Sequence, residues 1–190
     1  DSGFVSNILG TCIAQDYLKN GGMSKDQVVQ YAQLYYNGET DQIKINSESD
    51  LNNTLANAQV QEQCQRINTM IDGENGSIDA LNFHFYQDYR ALPGVIDWLK
   101  LRARRAGYSP GIVTNEIGFR GPSADYAAGS DLARQVFMKE VTAFSIGLQA
   151  VVWFSADTIS GGKDKVGIFA QGGSLRSAGQ TFKMVLQTLS

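Results

Sequence analysis

Two short runs in this chain end on residues equipped for proton transfer and nucleophilic attack: Ile78-Asp-Ala-Leu-Asn-Phe-His-Phe-Tyr86 and Pro110-Gly-Ile-Val-Thr-Asn-Glu-Ile-Gly118. A carboxylate such as Glu116 can attack carbon or accept a proton. An imidazole such as His84 exchanges protons near neutral pH. A phenol such as Tyr86 can orient a carboxylate by donating to its charged form. Side chains alternate along a strand, so Asn82, His84 and Tyr86 share one face, with Leu81, Phe83 and Phe85 on the other. In the second run, alternation sets Val113 and Asn115 against Ile112, Thr114 and Glu116. A third run, Ala150-Val-Val-Trp-Phe-Ser155, carries Trp153, expected to point with Val151 and away from Val152 and Phe154. An exposed Trp at that strand end would be a stacking platform for the apolar face of a sugar. Plainer readings stand beside these. Glu116 could pair with Arg120, His84 (the only histidine) could be a satisfied core or surface residue, Trp153 could fill core, and Asp157 reads as a turn or cap.

The elements that must position these residues follow from periodicity and punctuation. Residues 1–22 have apolar groups at mostly helical spacing and stop at Asn20-Gly-Gly. Ser24 with Gln27 three positions on is a capping-box signature and opens a helix through Tyr35. Gln42 to Ser47 alternates as a short strand, and Asp50 to about Ile71 reads as a helix. After the strand at 78–86, Pro93 to Ala106 predicts a helix burying Val95, Ile96, Trp98, Leu99 and Leu101. Its basic cluster (Lys100, Arg102, Arg104, Arg105) reads as a solvated helix end, where cations suit the dipole. A strand at 111–117, a helix over 131–146, a strand at 148–155 and a helix over about 174–189 complete the chain. Strand and helix thus alternate with starts near 42, 78, 111 and 148, about 35 residues apart, the signature of βα units in a parallel sheet. The expected fold is α/β, with a helical segment at 1–41 and four βα units over 42–190 in a single domain. Such strands carry functional residues at their carboxyl ends, as a (β/α) barrel does. A full barrel takes about 250 residues, so these units make about half of one, the domain being incomplete.

Composition excludes more than it selects. The 190 residues are 43% hydrophobic and 18% charged, with a net charge of −3, which is ordinary for a globular domain and gives no basic footprint for nucleic acid. No apolar run approaches the roughly 20 residues that span a bilayer. Cys12 and Cys64 lack metal-ligand spacing, and two buried thiols are favoured slightly over a disulfide. There is no phosphate loop, which argues against a flavodoxin-like layer, and no Gly-x-Ser-x-Gly elbow. With one His and no acidic cluster, a catalytic metal has little support, and no cofactor is expected. The chain begins at Asp1 and its first Met is Met23, so either a leader has been removed or it is a piece of something longer.

Taken together, the runs resemble the C-terminal half of clan A glycoside hydrolases, retaining β-glycosidases built on a (β/α)8 barrel. Residues 78–86 look like the family's sixth strand, which carries a His and a Tyr at the sugar site. Residues 110–118 are similar to the seventh strand, whose Glu is the nucleophile, and this maps onto Glu116. Residues 151–155 look like the eighth, with Trp153 as the aromatic floor of the subsite. Lys165-Val-Gly-Ile-Phe169 and Ser177-Ala-Gly-Gln-Thr-Phe-Lys183 are similar to the last turn and helix. The resemblance spans roughly 78–190 and implies that Glu116 attacks the anomeric carbon of a β-linked glycoside, with Asn82, His84 and Tyr86 around the sugar.

The departure is as informative. Retention needs a second carboxyl about 5–5.5 Å from the nucleophile, as acid/base. In this clan it follows an Asn at the end of the fourth strand, and the only Asn-Glu pair here is Asn115-Glu116. Glu39, Glu48, Glu62 and Glu74 lack the context, Glu48 being the least poor. The implied partners are a carbohydrate substrate and either a second copy or another chain that completes the barrel. The alternative is a noncatalytic carbohydrate-binding or assembly protein that kept the fold.

Overall fold

The computed structural model describes residues 2–36, 43–73, 77–118, 130–154, 167–170 and 172–189. Among these the chain is α/β, with seven α-helices and one three-stranded parallel sheet. Helix α1 (Ser2–Asn20) stops where Gly21 and Gly22 take φ of 75° and 111°, a region that favours glycine. Helix α2 (Lys25–Tyr36) begins with the expected capping box: Gln27 Oε1 accepts from the Ser24 amide at 2.8 Å, and Ser24 Oγ accepts from the Gln27 amide at 3.3 Å. The two helices pack tightly at Gly10, where a Cβ would lie 2.4 Å from the Tyr35 ring.

The strand expected at 42–47 does not form over its described part, 43–47. Those residues instead start helix α3 (Glu48–Ala56): Ser47 caps it, and Asp50 Oδ2 accepts from the Asn46 amide at 3.0 Å. Side-chain bonds to the local backbone have outcompeted a ladder for which no neighbouring strand is at hand among the described residues. The long helix expected over 50–71 is two helices. Asn57 leaves the helical conformation and its Oδ1 accepts from the amides of Gln59 and Val60, opening α4 (Ala58–Gly73).

Strand β1 (Ala80–Phe85) leads through a 3₁₀ turn (Tyr89–Ala91) into α5 (Leu92–Arg105), with Pro93 in its first turn. Strand β2 (Gly111–Ile117) is followed by α6 (Ser130–Ser145), β3 (Ala150–Trp153) and α7 (Ser177–Leu189). Strand order is β1-β2-β3, all parallel. One sheet face is core: Leu81, Phe83, Phe85, Ile112, Ile117 and Trp153 join Ile8, Leu9, Ile13, Val95, Ile96 and Trp98 in one buried cluster. The other face is only partly covered: His84 is buried there, but Asn82, Asn115 and Ala150 are exposed and Val152 is 52% exposed. Parallel sheets are normally covered on both faces.

Two further expectations change. Cys12 and Cys64 are a disulfide that ties α1 to α4, not a pair of thiols; both sulfurs are fully buried where the helices meet. The basic end of α5 is not simply solvated. Arg102 holds Asp72 through two bonds (2.6 and 3.0 Å), and Asp16 accepts from Arg102, Arg105, Asn20 and the Trp98 indole. These cations offset the carboxyl ends of α1, α4 and α5 where they converge. No helix among the described residues is long and apolar enough to cross a membrane.

Candidate active site

The geometry turns on an irregularity in β2. Asn82 pairs with Val113, yet His84 pairs with Glu116; on the other side Thr114 pairs with Val151 and Ile117 with Trp153. Against both neighbours β2 therefore has one extra residue, a bulge beside Asn115. Strict alternation would send Glu116 to the core face with Ile112 and Thr114. The bulge reverses the parity beyond it, so Glu116 joins the face of Asn82 and His84 while Ile117 returns to the core beside Phe85. A bulge leaves amides without ladder partners, and side chains take them up: Asn82 Oδ1 accepts from the Asn115 amide at 3.0 Å, and Thr114 Oγ1 accepts from the Glu116 amide at 3.4 Å.

On that face three candidates converge. The Tyr86 hydroxyl donates to Glu116 Oε1. His84 Nδ1 lies 3.1 Å from Glu116 Oε2. That is ion-pair distance, although the ring is not aligned for a hydrogen bond and Nδ1 has no hydrogen-bond partner among the described residues. His84 and Tyr86 are buried, at 8% and 3% exposure, whereas the Glu116 side chain keeps 23% of its surface. The carboxylate is thus oriented from behind and open in front, the condition a nucleophile or proton acceptor needs. Gly118 permits the arrangement: a Cβ there would stand 2.7 Å from both the Tyr86 ring and the Phe154 carbonyl.

The other candidates are placed differently. Asn82 is committed to the bulge, accepting from the Asn115 amide and donating to Asn115 Oδ1 at 2.9 Å. Trp153, expected as an exposed platform, is 6% exposed and sits in the core beside Ile117, on the sheet face opposite Glu116. Its parity with Val151 is as the alternation expects; what differs is that this face is core. Glu48 opens α3 and pairs with Lys25 at 2.5 Å, and Glu62 pairs with Arg66 along α4. The hydrogen bond from Lys25 holds the Glu48 carboxyl below its ordinary value. Glu39, Glu74, Arg120 and Asp157 lie outside the described residues. No group of acidic, His and Cys side chains suited to a metal ion occurs among the described residues.

Two site-building residues escaped the sequence reading. Thr114 supports the bulge. Lys139 is fully buried, and its ammonium donates to the Tyr86 and Gly118 carbonyls. A signal for Lys139 was present: it falls on the helical stripe of Leu132, Val136 and Ala143, where an apolar residue is the rule. Nearby, burial pushes the Asp88 carboxyl up, but hydrogen bonds from the Arg90 side chain and amide, with the charges of Arg90 and Lys139, hold it below its ordinary value. No family model, no curated protein and no solved structure matches the chain.

Proposed function

We propose that this chain is the C-terminal half of a glycosidase-type (β/α) barrel and that Glu116 is the nucleophile of a retaining reaction on β-linked glycosides. The observation that supports this reading is the convergence of Tyr86 and His84 on a partly open carboxylate at the carboxyl ends of neighbouring parallel strands. In the first step a Glu116 oxygen attacks the anomeric carbon as the bond to the leaving oxygen breaks and its electron pair departs with that oxygen. Tyr86 orients the carboxylate and His84 stands beside it at ion-pair distance, while part of Glu116 stays open to approach. The acid/base carboxyl comes from outside the described residues: from the rest of a longer protein of which this chain is a fragment, or from a second copy or another chain that completes the barrel. The disulfide fits an oxidising compartment.

With no general acid beside Glu116 among the described residues, a group worth about 10²–10⁴-fold, the chain alone should react only with leaving groups that need no protonation. The test follows from that. A 2-deoxy-2-fluoro glycoside with a dinitrophenolate leaving group should label Glu116 covalently, detected as an adduct on its peptide by mass spectrometry. Glu116→Gln should abolish the label while leaving the fold intact. Absence of any adduct across gluco-, manno- and galacto-configured reagents would sink the assignment. A noncatalytic role in carbohydrate binding or assembly is the second reading, favoured by the partly covered sheet face with its exposed Val152; saccharide binding without labelling would select it.

A further inference from the structure

Helix α6 packs against the turn that follows β1 and sends a charged side chain into the core. Lys139 is 0% exposed. Its ammonium donates to the Tyr86 carbonyl at 2.9 Å and to the Gly118 carbonyl at 2.5 Å, and lies 5.5 Å from the centre of the Phe85 ring. Burying an ammonium is costly unless its protons are satisfied. A methionine could occupy much of the same space without that cost. The two carbonyls are not arbitrary acceptors. Tyr86 and Gly118 are the residues immediately beyond β1 and β2, where ladder bonds run out and carbonyls need partners. The Gly118 amide also reaches back to the Phe85 carbonyl at 3.0 Å, so amide and ammonium close one stitch across the strand ends.

We infer that Lys139 is a positioning residue for Glu116: its ammonium clasps the ends of β1 and β2 so that the Tyr86 hydroxyl stays on the Glu116 carboxylate. Its consequence for catalysis rests on the glycosidase reading, whereas the clasp itself does not. Without the ammonium the strand ends separate at Tyr86 and Gly118, and Glu116 loses its orientation although the rest of the core stays packed.

Amide hydrogen exchange on the full chain tests the clasp. In Lys139→Met the Gly118 and Phe154 amides, which donate to Phe85 and Ile117, should exchange about tenfold faster or more, while amides of α1 change by less than about twofold. Lys139→Arg, which retains the charge and donors, should restore slow exchange. Equal acceleration in α1 and at the strand ends would make Lys139 a general support of the fold, and unchanged exchange at Gly118 would mean that nothing is clasped. Either result overturns the inference. On a dinitrophenyl β-glycoside, Lys139→Met should lower kcat by about 10²-fold with KM within about threefold, as expected for a misplaced reacting group. A loss confined to KM would overturn the positioning role. If the wild-type chain turns over no such glycoside, the glycosidase reading fails, and the exchange data still decide the clasp.

Discussion

Removing the Cys12–Cys64 cross-link should lower the stability of this chain by about 4 kcal/mol. The bond closes a sequence separation of 52 residues, and in the chain-entropy description such a loop withholds about 14 cal/mol/K from the unfolded ensemble, which is about 4 kcal/mol at 25 °C. For a chain of 190 residues the unfolding entropy near 60 °C is about 0.4 kcal/mol/K, so the melting temperature should fall by about 10 °C. Both cysteines are completely buried within the main core. Reduced thiols or a pair of alanines would still pack as small apolar groups, and the loss should therefore be mainly that of the cross-link. The assay is urea unfolding of three forms: oxidised protein, protein reduced in denaturant and refolded in reductant, and Cys12→Ala/Cys64→Ala. The two uncrosslinked forms should agree within about 1.5 kcal/mol and lie well below the oxidised one. If all three unfold with free energies within about 1 kcal/mol, the α1–α4 cross-link does not restrict the unfolded chain and the reasoning is wrong.

Trp153→Ala should cost about 3–5 kcal/mol in a denaturant titration, because the indole is core. Trp153→Phe should cost far less, since its Nε1 has no partner among the described residues; a near-neutral alanine variant would return Trp153 to the surface. Burial raises the Glu140 carboxyl from its ordinary 4.5 to about 7. The folded state then holds a proton that the unfolded state has released, so this stabilisation is complete below about pH 4.5 and is lost as pH rises toward 7, on the order of 3 kcal/mol in all. Glu140→Gln should flatten that slope in melts between pH 4.5 and 8, and an unchanged slope would assign it to other groups. The partly covered sheet face and the unpaired edges of β1 and β3 among the described residues should be closed by association that buries more than about 1,000 Å². Light scattering at micromolar concentration that finds only monomer would refute this.

What could be read from the chain was whatever local spacing controls. The β2 limits, the capping box at Ser24, the helix burying Val95, Ile96, Trp98 and Leu99, and the parallel βα order all depend on alternation, helical period or a cap within a few residues. What could not be read depends on distant neighbours. A period of two over 42–47 looks the same whether or not a strand lies alongside; with none there among the described residues, Ser47 and Asp50 bonded the segment to the next helix instead. The spacing of Cys12 and Cys64 says nothing of how closely α1 and α4 approach. Likewise Trp153 has the composition of a platform and the location of a core residue, because which face of a sheet is covered is decided by helices elsewhere in the chain.

The carboxylate shows the same division within a single strand. Alternation from Gly111 sends Glu116 toward the core, where a charged group next to Ile112 would be costly. One extra residue removes that cost, and the residues that make the insertion tolerable are polar side chains already next to it in sequence or across the ladder: Thr114, Asn115 and Asn82. An Asn directly before a Glu at a strand end is thus more than a pair of hydrophilic residues. With Asn82 across the ladder, Asn115 marks the point where β2 changes parity, and the change sets a carboxylate against the imidazole of β1 and the phenol just beyond it while returning Ile117 to the core. Gly118 and Lys139 then secure the two strand ends from either side, Gly118 by leaving room for the Tyr86 ring and Lys139 by bonding the carbonyls. These residues are polar side chains or a glycine set in strand or core, and together they hold the bulge and the strand ends from which Glu116 projects. Concentrated departures from local rules are expected at functional or strained places in a fold, and the role proposed for Glu116 accords with that expectation.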